Sequence, residues 1–315
     1  MMYPPLRRLL ITVLATLVVA SPSAVAADKL NVVATFTILG DMVRNVGGER
    51  ISLTTLVGPN GDAHVYEPTP ADARALAQAD LVFVNGLAFE GWINRLVKAS
   101  GYKGPIVVAT EGVDPMKIED DHGEGDDDED KNKDHGHHDG EFDPHAWQDL
   151  AKGRVYVANI ARGLASADPT HASEYRRRAD VYSKELAALD AEIRSRFEAV
   201  PEDRRKVITG HDAFQYFGRA YGVAFHAPVG LSTESEPSAG ELADLIRQMR
   251  DERIRVLFVE NITDPRLVQQ LAREADAFVG GTLYSDSLSD IAGPASTYVD
   301  MFRHNAGTMI EAFSK

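Results

Sequence analysis

The run Leu30-Asn31-Val32-Val33-Ala34-Thr35-Phe36, the segment Ile38 to Val46, and the run Ile51 to Val57 together decide the fold class. The first and third are apolar and rich in β-branched residues, as buried strands are, while the middle segment carries helical spacing. A strand, a helix and a second strand in so short a span make a βαβ unit, whose strands run parallel.

The pattern repeats outward. Gly58-Pro59-Asn60-Gly61-Asp62-Ala63-His64 is turn-rich, and Thr69 with Pro70 caps and opens a helix over Ala71–Ala79. Leu81–Val84 reads as a third strand, Phe89–Ala99 as a helix, Ile106–Ala109 as a fourth strand and Ala146–Ala165 as a helix. Later, strands at Lys206–Thr209, Val223–Ala227, Val256–Glu260 and Ala277–Leu283 alternate with helices at Ala213–Tyr221, Ala239–Asp251, Pro265–Ala275 and Thr297–Phe313.

Between the halves, Asp168 caps and Pro169 opens the longest helix, which Pro201 ends. Ala172, Tyr175, Ala179, Tyr182, Leu186, Leu189, Ile193 and Phe197 recur on one face at spacings of three and four. That mix of Ala and Tyr suits packing on the chain's own lobes better than a coiled-coil seam. The expected fold is α/β, with two (β/α) lobes of mainly parallel sheet joined by one long rigid helix. Residues 27–166 form the N-terminal lobe, 167–200 the linking helix and 201–315 the C-terminal lobe.

Residues 1–26 read as a signal peptide. Arg7 and Arg8 precede an apolar run, Leu9 to Ala20, and Ala24-Val25-Ala26 offers small residues for cleavage. The apolar run is too short for a membrane span. With no cysteine in the chain, disulfides, thiolate metal sites and a lipid-bearing cysteine are excluded. The mature protein is expected to be soluble and periplasmic.

The formal net charge is −15, unevenly placed. Glu119–Asp143 holds thirteen Asp or Glu against two Lys, so eleven of the fifteen net negative charges sit there. The absence of a basic stripe argues against nucleic acid as a partner. The tract, within a loop over residues 117–142 that is expected to be disordered, also carries His122, His135, His137 and His138. Its composition fits metal binding and fits an incidental solvated linker, and taken alone it does not choose.

Among the remaining histidines, His171, His226 and His304 lack a partner pattern and read as ordinary surface or packed residues. His64 and His211 lie just past strand ends beside glycines, His145 lies between the acidic tract and the next helix, and Asp286 follows the strand Ala277–Leu283. Parallel α/β sheets bind ligands outside the carboxyl ends of their strands. Two candidates fall in each half, so a cleft between lobes would unite three imidazoles and one carboxylate, a donor set that satisfies tetrahedral zinc. Loop histidines without function remain the alternative, because the motif is discontinuous.

Longer matches favour the metal site. They are Gly61-Asp62-Ala63-His64-Val65-Tyr66-Glu67-Pro68-Thr69-Pro70, Asn85-Gly86 with Glu90-Gly91-Trp92, Asp143-Pro144-His145-Ala146-Trp147, Thr209-Gly210-His211-Asp212-Ala213-Phe214, Ser235-Glu236-Pro237-Ser238, and Tyr284-Ser285-Asp286-Ser287-Leu288. Jointly they resemble the cluster A-I (cluster 9) solute-binding proteins of metal ABC transporters, which include zinc and manganese receptors. The long helix and the His-rich loop before His145 resemble the zinc-specific branch.

The resemblance implies a metal site in the cleft between the lobes, with His64, His145, His211 and Asp286 as ligands. It also implies zinc as cargo, an inner-membrane ABC permease as partner, and small lobe movements. Manganese receptors of this family usually carry glutamate where His211 stands, and imidazole suits zinc better than manganese. Ala63 occupies a position where some zinc receptors have an extra glutamate ligand, which leaves manganese or iron as the alternative cargo. Glu67, Asp212 and Glu236 are candidates for orienting the ligands, with exposed salt bridges or helix caps as the competing reading.

Capture is expected to weaken below about pH 6, where free histidine gains protons. The tract is expected to act as a low-affinity antenna. A monomer is expected, with a periplasmic zinc chaperone as an additional partner. A secreted zinc hydrolase is disfavoured: there is no H-E-x-x-H helix or nucleophile elbow, and four protein ligands close the coordination shell. A periplasmic metal buffer or surface adhesin remains the non-transport alternative.

Overall fold

The computed structural model describes residues 29–117, 142–234 and 237–315. The signal segment, the tract histidines His122, His135, His137 and His138, and Glu236 lie outside the described residues.

The N-terminal half builds β1 (Leu30–Ala34), α1 (Thr37–Gly47), β2 (Ile51–Thr55), α2 (Pro70–Ala77), β3 (Leu81–Val84), α3 (Ile93–Ser100) and β4 (Ile106–Val108). The middle helices are α4 (Leu150–Ala167) and α5 (Ala172–Glu198). The C-terminal half adds β5 (Lys206–Ile208), α6 (Gln215–Tyr221), β6 (Ala224–His226), α7 (Ala239–Glu252), β7 (Val256–Glu260), α8 (Arg266–Glu274), β8 (Phe278–Leu283) and α9 (Tyr298–Phe313).

The sheet orders are β2-β1-β3-β4 and β6-β5-β7-β8, and every pairing is parallel. Each lobe therefore reverses its strand order once, between β1 and β3 and between β5 and β7. A crevice opens at the carboxyl ends of the strands at such a reversal.

The long helix α5 turns Tyr175, Ala179, Tyr182, Leu186, Leu189, Ile193 and Phe197 inward. It packs on α1 and α4 of one half and on α6 and α9 of the other. Its 27 residues make a rod of about 40 Å. One continuous apolar core consequently runs through both lobes, with a smaller cluster, including Leu245, Met249 and Leu271, beneath α7 and α8. Separating the lobes would strip side chains from α5 at about 1.5–3 kcal/mol each, so the packing of α5 opposes that separation.

Several elements start later than their periodicity suggests. The segment expected as one helix over Ala146–Ala165 is a 3-10 turn, Ala146–Gln148, then extended Asp149, whose carboxylate accepts the Ala151 N–H and caps α4. Pro169–His171 is likewise a 3-10 turn ahead of α5. The helix expected from Phe89 begins at Ile93, because Leu87 and Ala88 hold positive φ and the Glu90 carboxylate turns back to accept the Asn85 N–H.

Candidate metal centre

Each candidate ligand is fixed by its own loop. After β2, Asn60 adopts a φ of 56°, which asparagine tolerates, and donates its N–H to the Leu288 carbonyl in the other lobe. Asp62 then accepts the His64 N–H at 2.9 Å and the Thr233 hydroxyl at 2.6 Å, so one carboxylate holds the ligand loop and ties it across the crevice. The Trp92 indole donates to the Ala63 carbonyl at 2.8 Å and fixes the backbone beside His64.

His145 is held by Asp143, which accepts both its backbone N–H, at 2.9 Å, and its ring Nδ1–H, at 2.8 Å. Asn85 donates to the Pro144 carbonyl between them. His211 follows β5, where Glu260 Oε1 accepts the N–H groups of Gly210 and His211, each at 2.8 Å. Glu260 Oε2 lies 2.8 Å from His211 Nδ1. That second contact lacks hydrogen-bond alignment, and we read it as an ion pair. Asp286 follows β8, and the Trp147 indole and Gln148 amide donate across the lobes to the preceding Ser285 carbonyl at 2.9 and 2.7 Å.

The four side chains meet. One donor atom from each of His64, His145, His211 and Asp286 lies within 4.8 Å of all the others. His64 Nε2 and His211 Nε2 are each 3.1 Å from Asp286 Oδ2, and His64 Nε2 is 3.3 Å from His145 Nε2. A tetrahedron with corners about 2.0 Å from its centre has edges of about 3.3 Å, so these three of the six edges fit an ion of zinc's size, and the others lie within 4.8 Å. Asp286 Oδ1 is buried without a hydrogen-bond partner. His145, His211 and Asp286 are fully buried and His64 nearly so. A cavity of about 680 Å³, lined in part by Asp62, His211 and Thr233, lies against the C-lobe side of the cluster.

The electrostatics are those of a proton-loaded cluster. Burial would lower the His145 pKa, but Asp286 and Asp143 outweigh it and raise the value to about 9. Burial opposes protonation of His211 too, and Glu260 with Asp286 drives its pKa well above the ordinary range. Burial would raise the pKa of Asp286, yet the His145 and His211 cations hold it well below the carboxylate norm. Protons therefore compete for this site at higher pH than the ordinary histidine pKa suggests, which moves the expected boundary upward from about pH 6.

The residues that grip the outer ring nitrogens of His145 and His211 are Asp143 and Glu260, neither of which the sequence reading had assigned. Glu67 is exposed, and no hydrogen bond or ion pair among the described residues joins it to a ligand. Asp212 accepts from Gln215 Nε2 at 2.6 Å, with its pKa raised by burial. Both missed residues left signals: Asp143 stands two residues before a candidate ligand, and Glu260 ends a strand beside the reversal in strand order. The other histidines among the described residues have partners of their own. His171 pairs with Asp168, His226 lies beside Gln248, and His304 meets the Thr282 carbonyl.

Fold and site together define a two-lobed, cleft-type receptor for a divalent metal ion. Residues 32–312 match the family described as "Zinc-uptake complex component A periplasmic" (ZnuA). The chain is 30% identical over 295 residues to the metal ABC transporter substrate-binding lipoprotein SsaB of Streptococcus sanguinis, covering 92% of this chain and 91% of that one. It is also 30% identical to the iron-binding protein YfeA of Yersinia pestis, over 92% of this chain and 88% of that one. The solved periplasmic zinc-binding protein TroA of Treponema pallidum superposes with a TM-score of 0.81 at 29% identity, covering 91% of this chain and all of that one. A Mn-bound periplasmic metal-binding protein from Candidatus Liberibacter asiaticus superposes at 0.77, also at 29% identity, over 91% of this chain and all of that one.

The chain belongs to the ZnuA family of metal ABC transporter solute-binding proteins. It is a periplasmic metal receptor rather than an enzyme, and a membrane permease is its implied partner. Among the described residues, no helix is long and apolar enough to cross a membrane.

Proposed function

We propose that this protein captures Zn²⁺ at high affinity and delivers it to an inner-membrane ABC permease for uptake, with His64, His145, His211 and Asp286 as ligands. The observation that carries this reading is the gathering of three imidazole nitrogens and one carboxylate oxygen within 4.8 Å of one another, three of their separations being 3.1–3.3 Å. That donor set matches a d¹⁰ ion content with four N/O ligands, whereas Mn²⁺ favours more oxygen. The zinc-uptake description of the family supports the same cargo.

A manganese or iron cargo is the second reading. Relatives named for manganese in Streptococcus anginosus and for iron in Yersinia pestis stand at the same 30% identity. Residues 27–166 and 201–315 act as the two jaws, with residues 167–200 as the strut. The mature protein works as a lipid-free monomer after cleavage of residues 1–26, and a periplasmic zinc chaperone is a further candidate partner. The tract with His122, His135, His137 and His138 serves as a low-affinity collector.

The test is metal competition on purified protein. His211→Ala should sharply weaken one tight Zn²⁺, and His171→Ala should not; equal affinity in the two variants sinks the ligand assignment. Mn²⁺ displacing Zn²⁺ at equal concentration would install the second reading. Deleting residues 119–141 should leave the tight site intact and lower the total number of bound ions.

A further inference from the structure

The loop between β3 and α3 is built around an unusual piece of backbone. Gly86, Leu87 and Ala88 hold φ of 90°, 53° and 60°, three left-handed residues in succession. L-residues rarely adopt that region, and where they do the surrounding structure has to enforce it. Here the enforcer is Glu90. Its Oε1 accepts the Thr35 hydroxyl at 2.6 Å and the Asn85 N–H at 2.7 Å, and its Oε2 accepts the Gly86 N–H at 3.3 Å.

The Asn85 side chain extends the frame. It donates to the Gly86 and Pro144 carbonyls and accepts from the Tyr156 hydroxyl. The loop is thereby joined to the segment that carries His145.

What this frame presents is Phe89. Its ring packs edge-on to His64 at 4.8 Å and to His145 at 6.0 Å between centroids. It continues into Phe36 at 5.0 Å and Trp147 at 4.8 Å, and Trp147 itself lies 5.2 Å from His145. All three aromatic rings are at most 2% exposed. The cluster is thus backed by an apolar wall on the N-lobe side, while the 680 Å³ cavity lies on the C-lobe side.

We infer that Phe89 is a specificity-determining residue, which favours Zn²⁺ over Mn²⁺ by keeping water ligands off the N-lobe side of the bound ion. The inference rests on the zinc reading above. Zn²⁺ is satisfied by the four protein donors, whereas Mn²⁺ seeks further oxygen ligands, and beyond the second carboxylate oxygen of Asp286 only water supplies them here. A dry wall on one side therefore penalises Mn²⁺ more than Zn²⁺. Cutting the ring back to a methyl group leaves room for at least one water, and the ion itself supplies that water's polar partner.

The test uses purified full-length protein loaded with one Mn²⁺ or one Co²⁺. Water-proton relaxation of the Mn²⁺ form reports waters on the ion, and the Co²⁺ absorption bands report coordination number. Phe89→Ala should raise the relaxivity, weaken the tetrahedral Co²⁺ bands and lower the Zn²⁺-to-Mn²⁺ affinity ratio by about tenfold or more. Phe89→Leu, which keeps most of the bulk, should stay close to the parent protein. If the alanine variant does not fold, Phe89→Val carries the same expectation. Unchanged relaxivity and unchanged ratio in the small-residue variant overturn the inference. A parent protein whose Mn²⁺ form already holds waters, and which binds Mn²⁺ as tightly as Zn²⁺, would instead remove the zinc reading and the inference with it.

Discussion

With His145 and His211 as the proposed ligands, lowering the pH from 7 to 6 should weaken metal capture about a hundredfold, because metal and protons would compete for the same ring nitrogens. In the metal-free cluster the His145 pKa lies at about 9 and that of His211 is well above its usual value. Both rings therefore carry protons at pH 7, while Asp286 is already ionised. Binding has to expel about two protons, so log K should rise by about two per pH unit through neutrality. Removing the His145 proton at pH 7 costs about 3 kcal/mol by itself, from two pH units at about 1.4 kcal/mol each.

Calorimetric titration of Zn²⁺ at pH 7 in buffers of different ionisation enthalpy counts the released protons directly. About two are expected. A count of about half a proton or less, with affinity rising only about fourfold from pH 6.5 to 8, would refute the reasoning, since that is how two histidines with a pKa of about 6.5 behave. The metal-free protein should show the linked effect in stability. A folded-state pKa raised above 6.5 adds stability that is complete below pH 6.5 and lost as pH rises through about 9. Unfolding of the metal-free form should therefore become easier across that window.

Asp143→Asn and Glu260→Gln should each weaken Zn²⁺ binding by about 10–100-fold, measured by chelator competition, since each loses the carboxylate beside the ring of a proposed ligand, which it would orient and polarise. Asp41, buried under the start of α9 where it accepts the Tyr298 N–H, has its pKa raised to about 6 by burial. Its charge costs stability as pH rises from 3.8 through 6, so Asp41→Asn should raise the melting temperature at pH 8 and lose that advantage at pH 4. Gly86→Ala should destabilise the fold by about 1–3 kcal/mol or more, because a Cβ there would meet Val108 Cγ1 at 2.5 Å and Thr110 Oγ1 at 2.8 Å at a φ of 90°; thermal unfolding measures it.

The sequence by itself determined what depends on local order. Alternating strands and helices specified parallel sheets in both halves, and spacings of three and four named seven of the residues that α5 buries. His64, His145, His211 and Asp286 were legible as candidates because a parallel sheet gives chemical meaning to the residues just beyond its strand ends. Tertiary structure decided the rest, since those facts join residues far apart in the chain. Glu260 reaches the His211 backbone across 49 positions because β5 and β7 lie side by side, an adjacency no local pattern encodes. The left-handed residues 86–88 are locally unfavourable and exist only because Glu90 and Thr35, 55 positions apart, close on them. The raised histidine pKa values likewise depend on Glu260 and Asp286, which only folding gathers around the two rings, while Asp143 is a sequence neighbour of His145.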